Sequence, residues 1–265
     1  MLPSSQSRRS LLLLVGWLLA GAMGVEMRAG AQSVPAKAQA FLRAYPNFFA
    51  GYKDNQLVCQ DGTAILFDDG RSKTYEQRLS DADPEDELWQ AYPTGPDSYR
   101  PPAVNFDPGR YRCATLFKKM YGANAQEVEA HLRPIPWMPK STHATVRITS
   151  VNGVDKRLEA VSAELDQLPA EDKRFVLKTA GTFNWRPIAG TDQLSAHAFG
   201  IAIDINADYA DYWRWGGRAT NGLIPYRNRV PRRIIEIFER HGFIWGGKWY
   251  HYDTMHFEYR PELLL

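Results

Sequence analysis

The stretch of residues 195–206 combines the pattern of a β-strand with two side chains that can bind a metal ion. Isoleucines occupy its alternate positions Ile201, Ile203 and Ile205. This period of two predicts a strand with one apolar face, and Asp204 points away from that face. His197 lies seven residues before Asp204, and this odd offset would place the two side chains on opposite faces of a straight strand. We therefore expect a bend at Gly200, and we interpret the stretch as half of a metal site.

The stretch of residues 245–258 supplies the expected second half of this site. Asp253 and His256 stand three residues apart, a spacing that a turn brings together. His256 adds a second imidazole to His197 and Asp204, and zinc accepts such mixed nitrogen and oxygen donors while keeping a fourth position for water. Asp253 can then take a proton from that water. The two stretches together predict a catalytic centre with one zinc ion.

Two motifs in these stretches resemble those of a known family. Ser-x-His-x-x-Gly-x-Ala-x-Asp, at residues 195–204, is followed by Asp-x-x-His-Phe-Glu at residues 253–258. The pair resembles the zinc D-alanyl-D-alanine carboxypeptidase family, which includes VanY-type carboxypeptidases and phage L-alanyl-D-glutamate endopeptidases. The resemblance covers residues 158–265. It implies a metallopeptidase that hydrolyses amide bonds in the stem peptides of peptidoglycan.

The resemblance also implies a role for each residue of the site. His197, Asp204 and His256 correspond to the zinc ligands, and Asp253 corresponds to the catalytic base. The family often carries glutamate at the position of the base, and aspartate has a shorter reach. His251, five residues before His256, is an alternative that could bind the metal or polarise the reaction intermediate. The family pattern favours Asp253.

Further residues are candidates for binding the substrate or supporting a ligand. Arg186 lies nine residues before Ser195 and either forms a surface salt bridge or, like the upstream arginine of the family, receives a substrate carboxylate with help from Ser195. Trp245 and Trp249 are expected to flank the metal, exclude water and hold a peptide. Glu258 would share a strand face with His256 and could bind its imidazole.

Residues 1–31 have the pattern of a secretory signal peptide. Arg8 and Arg9 precede an apolar run at residues 11–22, and Ala29-Gly30-Ala31 provides small residues for cleavage. The apolar run is short for a membrane span, although an uncleaved anchor is an alternative. We expect an exported protein, periplasmic or extracellular, without a membrane span in the mature chain. The paired arginines leave general and twin-arginine export both open.

Charge and length narrow the class of protein further. The chain has 32 basic and 30 acidic residues, and removal of three arginines and one glutamate with the signal peptide leaves 29 of each. This balance does not indicate a nucleic-acid surface. We expect a monomer in which residues 32–135 form an N-terminal extension packed on a zinc peptidase core of residues 136–265.

The chain contains two cysteines, Cys59 and Cys113. An oxidising compartment favours a disulfide between them, and two buried free thiols are the alternative. Turn residues after Cys59 predict a β-hairpin over residues 57–67. Cys113 falls in an expected helix, residues 111–121, that Gly122 ends.

The remaining periodicity predicts mixed secondary structure. Strands are expected at residues 146–151 and 175–177, and helices at residues 158–168 and from Pro231 to Gly242. The expected fold is α+β, with a small antiparallel sheet that carries the zinc site, flanking helices and the N-terminal extension. An alternative function is a peptidoglycan-binding or hedgehog-like protein in which the zinc is structural and no reaction is catalysed.

Overall fold

A computed structural model describes residues 33–217 and 222–265. The predicted signal peptide, residues 1–31, lies outside this part of the chain. No helix within the described ranges is long and apolar enough to cross a membrane.

Short helices and strands follow one another along the chain. The α-helices in the described ranges are α1 (Ala36–Ala44), α2 (Tyr75–Ser80), α3 (Pro84–Glu87), α4 (Ala114–Tyr121), α5 (Ala125–His131), α6 (Val154–Leu165), α7 (Ala170–Lys173) and α8 (Arg232–Arg240). The strands are β1 (Phe49–Lys53), β2 (Gln56–Cys59), β3 (Ala64–Leu66), β4 (Leu132–Trp137), β5 (Ala144–Thr149), β6 (Thr179–Gly181), β7 (Ala202–Ile205), β8 (Phe243–Trp245) and β9 (His256–Tyr259).

The strands form antiparallel sheets of three, two and four strands, in the orders β1-β2-β3, β4-β5 and β6-β7-β9-β8. Helices α6 and α8 pack against each other, α6 also contacts β4 and β5, and α8 contacts β8. This arrangement confirms the α+β class and the small antiparallel sheets.

The four-stranded sheet places the two metal-site motifs side by side. In the β7–β9 pair, Asp204 lies directly opposite His256, and Ala202 lies opposite Glu258. Directly opposed residues of an antiparallel pair extend to the same face of the sheet. The register therefore brings the carboxylate of one motif next to the imidazole of the other.

The bend that the first motif requires occurs at Gly200, as predicted. Ala196–Phe199 form a short 3-10 helix that ends at Gly200, whose φ is +65°. The positive φ favours glycine, and a Cβ atom here would lie 2.7 Å from Leu132 Cδ2, so a larger residue would also force that side chain to shift. His197 thus precedes the bend and Asp204 follows it, which allows both side chains to reach one point.

The apolar pattern of the last helix is also confirmed. Helix α8 buries Ile234, Ile235 and Phe238, and Gly242, with φ +90°, follows its end. The ring of Phe238 stacks on Phe257 of β9 at 3.8 Å between centroids. The helix therefore supports the strand that carries His256.

The strand predicted at residues 175–177 is wrong. These residues form the turn that follows α7, and the backbone N–H groups of Val176 and Leu177 donate to the carbonyl of Lys173 at 2.9 and 2.8 Å. A short apolar run does not distinguish a strand from the buried end of a helix. The strand of this region is β6, which begins at Thr179.

Residues 34–265 form one compact unit. The buried guanidinium of Arg260 donates to Glu87 Oε2 at 2.8 Å and to the carbonyl of Gly109 at 2.9 Å, so the C-terminal strand region binds the N-terminal part of the unit directly. The boundary expected between residues 135 and 136 lies inside β4. The division into an extension and a core remains a prediction.

The disulfide predicted between Cys59 and Cys113 is wrong, because both are free, buried thiols. Cys59 ends β2, in the predicted hairpin, and Cys113 precedes α4, where its backbone N–H donates to Glu87 Oε1 at 2.6 Å. An even number of cysteines does not provide the Cα spacing and Cβ directions that a disulfide needs. Each thiol instead fills the core as a small apolar group.

Both thiols should be present and unreactive in the folded protein. Burial raises the pKa of Cys113 to about 12 and also raises the pKa of Cys59, so little thiolate forms near neutral pH. We expect alkylation of the folded protein to be at least about 100-fold slower than alkylation of the unfolded, unreduced chain. Titration of the unfolded chain should give two thiols, and a value of zero would show that the cysteines are bridged.

Candidate metal centre

Three side chains meet at one point beside β7 and β9. Nε2 of His197 lies 3.2 Å from Asp204 Oδ1, and Nδ1 of His256 lies 3.0 Å from the same oxygen. The two imidazole nitrogens are 3.2 Å apart. All three donor atoms lie within 4.8 Å of one another, so His197, Asp204 and His256 form a group that could hold a metal ion. Two imidazoles and one carboxylate suit zinc.

The outer nitrogen of each imidazole has a separate partner. His197 Nδ1 donates to the backbone carbonyl of Thr182, which leaves Nε2 for the centre. His256 Nε2 lies 3.0 Å from Glu258 Oε2, which leaves Nδ1 for the centre. Such outer contacts orient the ring and select the tautomer that binds metal. The structure therefore places Glu258 where a partner of His256 was predicted.

The charges at this point favour a cation. Burial lowers the pKa of His256, but Asp204 and Glu258 outweigh burial and raise it to about 10. Burial raises the pKa of Asp204, yet hydrogen bonds from both imidazoles bring it well below its usual range. In the chain alone, a proton on His256 meets this demand for positive charge. A divalent metal ion bound at the same place would displace that proton.

Asp253 stands in the cleft beside these residues with an unused acceptor. Its backbone N–H donates to the carbonyl of Gly246 at 3.0 Å, and its backbone forms a bridge with Tyr212. Burial and, to a lesser degree, Asp204 raise the pKa of its carboxyl, which lies at about 6. Its buried Oδ1 has no hydrogen-bond partner among the residues that the structure describes. A buried acceptor without a donor indicates a ligand or water at this position, which fits the expected zinc and its water.

The centre lies in a cleft of about 320 Å³. The predicted site residues that line it are Arg186, Ser195, His197, Asp204, Trp249, Asp253 and His256. The ring of Trp249 lies 5.6 Å from that of His256, and its Nε1 donates to the carbonyl of Pro108 at 2.6 Å. The structure thus brings these seven predicted site residues to one cleft.

Trp245 does not flank the cleft, so this prediction is wrong. It is fully buried in β8, where it stacks on Phe257 and donates from Nε1 to the carbonyl of Thr254 at 2.9 Å. All three residues of β8 are buried. The strand therefore has no face open to the cleft.

Arg186 is exposed at the rim of the cleft, and its Nη1 donates to the adjacent carbonyl of Pro187 at 3.3 Å. It forms no ion pair with any of the described residues, in contrast to the surface salt bridge considered as an alternative. Ser195 is buried, and its backbone N–H donates to the carbonyl of Arg186 at 3.1 Å. A backbone hydrogen bond therefore holds the two residues next to each other, although nine positions separate them in the sequence.

Sequence reasoning did not find the residues that the N-terminal part of the unit contributes. Arg110 and Arg112 line the cleft, and Arg112 forms an ion pair with Glu258. Asp107 lies 2.7 Å from Nδ1 of His251, which is also a cleft residue. A charged turn is indicated at residues 107–112 by the sequence Asp-Pro-Gly-Arg-Tyr-Arg. The sequence does not indicate which distant residues this turn contacts.

A second acidic cluster in the N-terminal part already contains a cation. Nζ of Lys73 lies 2.8 Å from Asp69, 3.1 Å from Asp83 and 2.6 Å from Asp86. The lysine side chain is buried among these carboxylates. Its ammonium group supplies the positive charge that the cluster needs, so we assign it no metal ion.

Residues 189–259 match the family model described as D-alanyl-D-alanine carboxypeptidase. The match confirms the predicted resemblance over this range, which contains the two histidines and two aspartates of the centre. It supports a peptidase that acts on peptidoglycan. Comparison with curated proteins and with solved structures gives no match.

The support that Glu258 gives to His256 can be tested through metal affinity. The substitution Glu258→Gln keeps the shape of the side chain but removes the charge that binds the outer nitrogen of His256. We expect the dissociation constant for zinc, measured by competition with a chromogenic chelator, to rise about 10- to 100-fold.

The matched control is Glu262→Gln. This change weakens a contact with the buried Arg260 but no contact with His256. Both variants should lower the unfolding temperature, whereas only Glu258→Gln should weaken zinc binding markedly. Equal zinc affinities in the two variants would contradict the assignment.

Proposed function

We propose that the protein is a zinc-dependent peptidase that hydrolyses amide bonds in the stem peptides of peptidoglycan. The observation that carries the proposal is the convergence of His197, Asp204 and His256 beside the unpaired Oδ1 of Asp253 in one cleft. The family match over residues 189–259 supports the same class of reaction.

In this proposal, different residues of the chain hold the metal ion and transfer the proton. Zinc, when bound, would supply Lewis acidity and lower the pKa of a water molecule. His197, Asp204 and His256 would hold the ion, with Thr182 and Glu258 fixing the two rings. Asp253 would accept a proton from the attacking water and return it to the nitrogen of the leaving amine.

The two possible cleavage sites differ in the substrate carboxylate that Arg186 would bind. In a D-alanyl-D-alanine carboxypeptidase, the guanidinium would bind the terminal carboxylate, with Ser195 assisting. In an L-alanyl-D-glutamate endopeptidase, it would bind the α-carboxylate of D-glutamate linked through its side chain. The exposed position of Arg186 at the rim, without an ion pair to the described residues, is consistent with either substrate.

A binding protein with a structural zinc is the alternative. Structural zinc sites are usually closed by four protein ligands, whereas catalytic sites keep one position open. The group found among the described residues offers three ligands in a cleft. Together with the unpaired carboxylate of Asp253, this favours catalysis over binding alone.

Export would bring the enzyme to its substrate. We propose that residues 1–31 direct the chain out of the cytoplasm and are then removed. The remaining chain has equal numbers of basic and acidic residues, 29 of each, which agrees with a peptide substrate rather than a nucleic acid. We also propose that the enzyme acts as a monomer.

Mass analysis of purified muropeptides after incubation tests the proposal. The zinc-loaded protein should release D-alanine or an L-alanine-linked fragment. The variant Asp253→Asn should retain zinc but react at least about 100-fold more slowly, because it has lost the general base. Asp208→Asn, at an exposed aspartate that pairs with Lys178, is the matched control and should behave as the unmodified protein.

Two results would contradict this proposal. The first is full turnover by protein from which a chelator has removed the metal. The second is a set of muropeptides that remains intact with the zinc-loaded protein, which would favour the binding function.

The role of Arg186 can be tested with substrates that differ in one charge. If the protein is a carboxypeptidase, Arg186→Ala should lower kcat/KM for a peptide ending in free D-alanyl-D-alanine, because a charge-assisted pair is lost. The fall in kcat/KM should correspond to a loss of about 2 to 4 kcal/mol in transition-state stabilisation. Arg147→Ala, at an exposed arginine of β5, is the control. The unmodified protein should also prefer the free terminus to the same terminus amidated. Equal cleavage of both termini would rule out recognition of a terminal carboxylate and favour the endopeptidase.

A further inference from the structure

Arg110 is a largely buried cation at the cleft whose guanidinium has no hydrogen-bond acceptor among the residues that the structure describes. Its side chain is 20% exposed, and its Nη1 lies 3.6 Å from Oδ2 of Asp107, too far for a hydrogen bond. That oxygen is already bound by other donors, because Nδ1 of His251 lies 2.7 Å away and the hydroxyl of Tyr75 also donates to it. The five N–H groups of Arg110 are therefore available.

Other cations that are withdrawn from solvent in this chain do have acceptors. Arg260 donates to three glutamates and to a backbone carbonyl. Lys73 contacts three aspartates, and Lys248 donates to a glutamate and to a backbone carbonyl. A cation that is buried without such acceptors is costly. Arg110 differs from these three residues in lining the cleft, which indicates that its acceptor is a molecule bound there.

Arg112 lines the same cleft two residues further on. Its side chain is 10% exposed, and its Nη2 donates to Oε2 of Glu258. The same oxygen lies 3.0 Å from Nε2 of His256, so one carboxylate connects Arg112 to a candidate metal ligand. Nε of Arg112 is buried without a partner among the described residues. Nη1 is therefore the nitrogen that Arg112 can offer to a ligand.

The two arginines also line a smaller pocket that adjoins the cleft. This pocket has a volume of about 50 Å³ and shares Arg110, Arg112 and Ile188 with the cleft. Thr191 and Gln193, from the loop that precedes Ser195, form part of its wall. A volume of this size holds a few water molecules, which matches a carboxylate group but not a whole further residue.

The charges of the cleft favour a ligand with more than one negative charge. Its lining includes three arginines, Arg110, Arg112 and Arg186, and two aspartates, Asp204 and Asp253. Asp204 belongs to the group of candidate metal ligands, where a divalent cation would outweigh its charge. The proposed function assigns one substrate carboxylate to Arg186. A second carboxylate would complement the remaining positive charge.

We propose that Arg110 and Arg112 form a second carboxylate subsite, which binds a further carboxylate of the stem peptide while Arg186 binds the one next to the scissile bond. The inference rests on the proposed peptidase function and narrows its substrates to peptides with at least two free carboxylates. Arg110 supplies a guanidinium that can pair with both oxygens of the carboxylate, and Arg112, held by Glu258, adds charge and one donor.

Binding to a protein that cannot turn over the peptide tests the subsite directly. The protein is zinc-loaded Asp253→Asn, and the probe is a stem peptide whose carboxylates are all free. Two derivatives locate the carboxylate, one amidated at the α-carboxylate of D-glutamate and one at a side-chain carboxylate of the following residue. We expect the Kd from calorimetry to rise about 30-fold when the carboxylate bound by Arg110 is amidated.

The variant Arg110→Gln separates this subsite from Arg186. In the Asp253→Asn background it should weaken binding of the fully free peptide about 30-fold. It should weaken binding of one derivative by less than about threefold, because the variant and that amidation remove the same contact. An amidation that affects Arg186 would instead add in full to the effect of the variant. Arg110→Lys keeps the charge without the planar fork and should recover part of the affinity.

Kinetics of the active protein distinguish a binding role from a structural one. Arg110→Gln should raise KM for the free peptide and leave kcat within about threefold, because a contact with a non-reacting group is equally strong before and during the reaction. Arg78→Gln is the matched control. Arg78 is also largely buried and binds Asp86 but does not line the cleft, so this variant should not change the preference for free over amidated peptides.

The proposal would be overturned if neither derivative bound more than about threefold more weakly than the free peptide. It would also be overturned if Arg110→Gln changed the Kd of the free peptide and of both derivatives by the same factor, or left all three unchanged. Binding with the expected preferences, but without cleavage by the unmodified zinc-loaded protein, would support the subsite and refute the proposed catalysis.

Discussion

The candidate site depends on how the chain neutralises one buried carboxylate, that of Glu258. This side chain is inaccessible to solvent, and it contacts His256, Arg112 and Arg260. Burial raises the pKa of Glu258, but Arg112 and His256 bring it below its usual range, so the charge is kept. Removing a partner from a buried ion pair typically costs about 3 to 5 kcal/mol, because the remaining charge has neither water nor a counter-ion. The orientation of a candidate metal ligand and the attachment of the N-terminal part therefore belong to one set of contacts.

A buried carboxylate also fixes an imidazole on the far side of the cleft. Asp107 is as deeply buried as Glu258, and it fixes His251 as Glu258 fixes His256. Each imidazole has one nitrogen tied to a buried carboxylate and the other available. The difference lies in the neighbours: His256 faces Asp204 and His197, whereas Nε2 of His251 meets no hydrogen-bonding group of the described residues. Two similar pairs thus leave one imidazole nitrogen each, one beside the candidate metal ligands and one in the open cleft.

Local sequence patterns predicted the geometry within each motif, because that geometry arises from short-range rules, whereas the meeting of the two motifs across 52 residues was predicted from their donor chemistry and from the family resemblance. Alternation in β7 and the glycine bend predicted how His197 and Asp204 could meet, and the spacing within β9 predicted the contact between His256 and Glu258. Residues 175–177 and Trp245 were assigned wrongly because short apolar runs do not reveal which faces are covered. Arg112 meets Glu258 across 146 residues and Asp107 meets His251 across 144 residues, and such distant contacts leave no local pattern. Whether the two cysteines pair depends on how the core packs around them. Neither the number of cysteines nor the redox state of the expected compartment determines that packing.

Several residues that support the candidate site lie outside the range of the family match. Within residues 189–259 lie the candidate ligands and base, but Glu87, Asp107, Arg112 and Arg260 all lie outside that range. A fragment limited to the matched residues would expose Glu258 without its arginines and leave His251 without its carboxylate. The matched segment therefore cannot be transferred alone: a chimera that grafts it onto another scaffold must also bring the arginines and acidic residues that surround it.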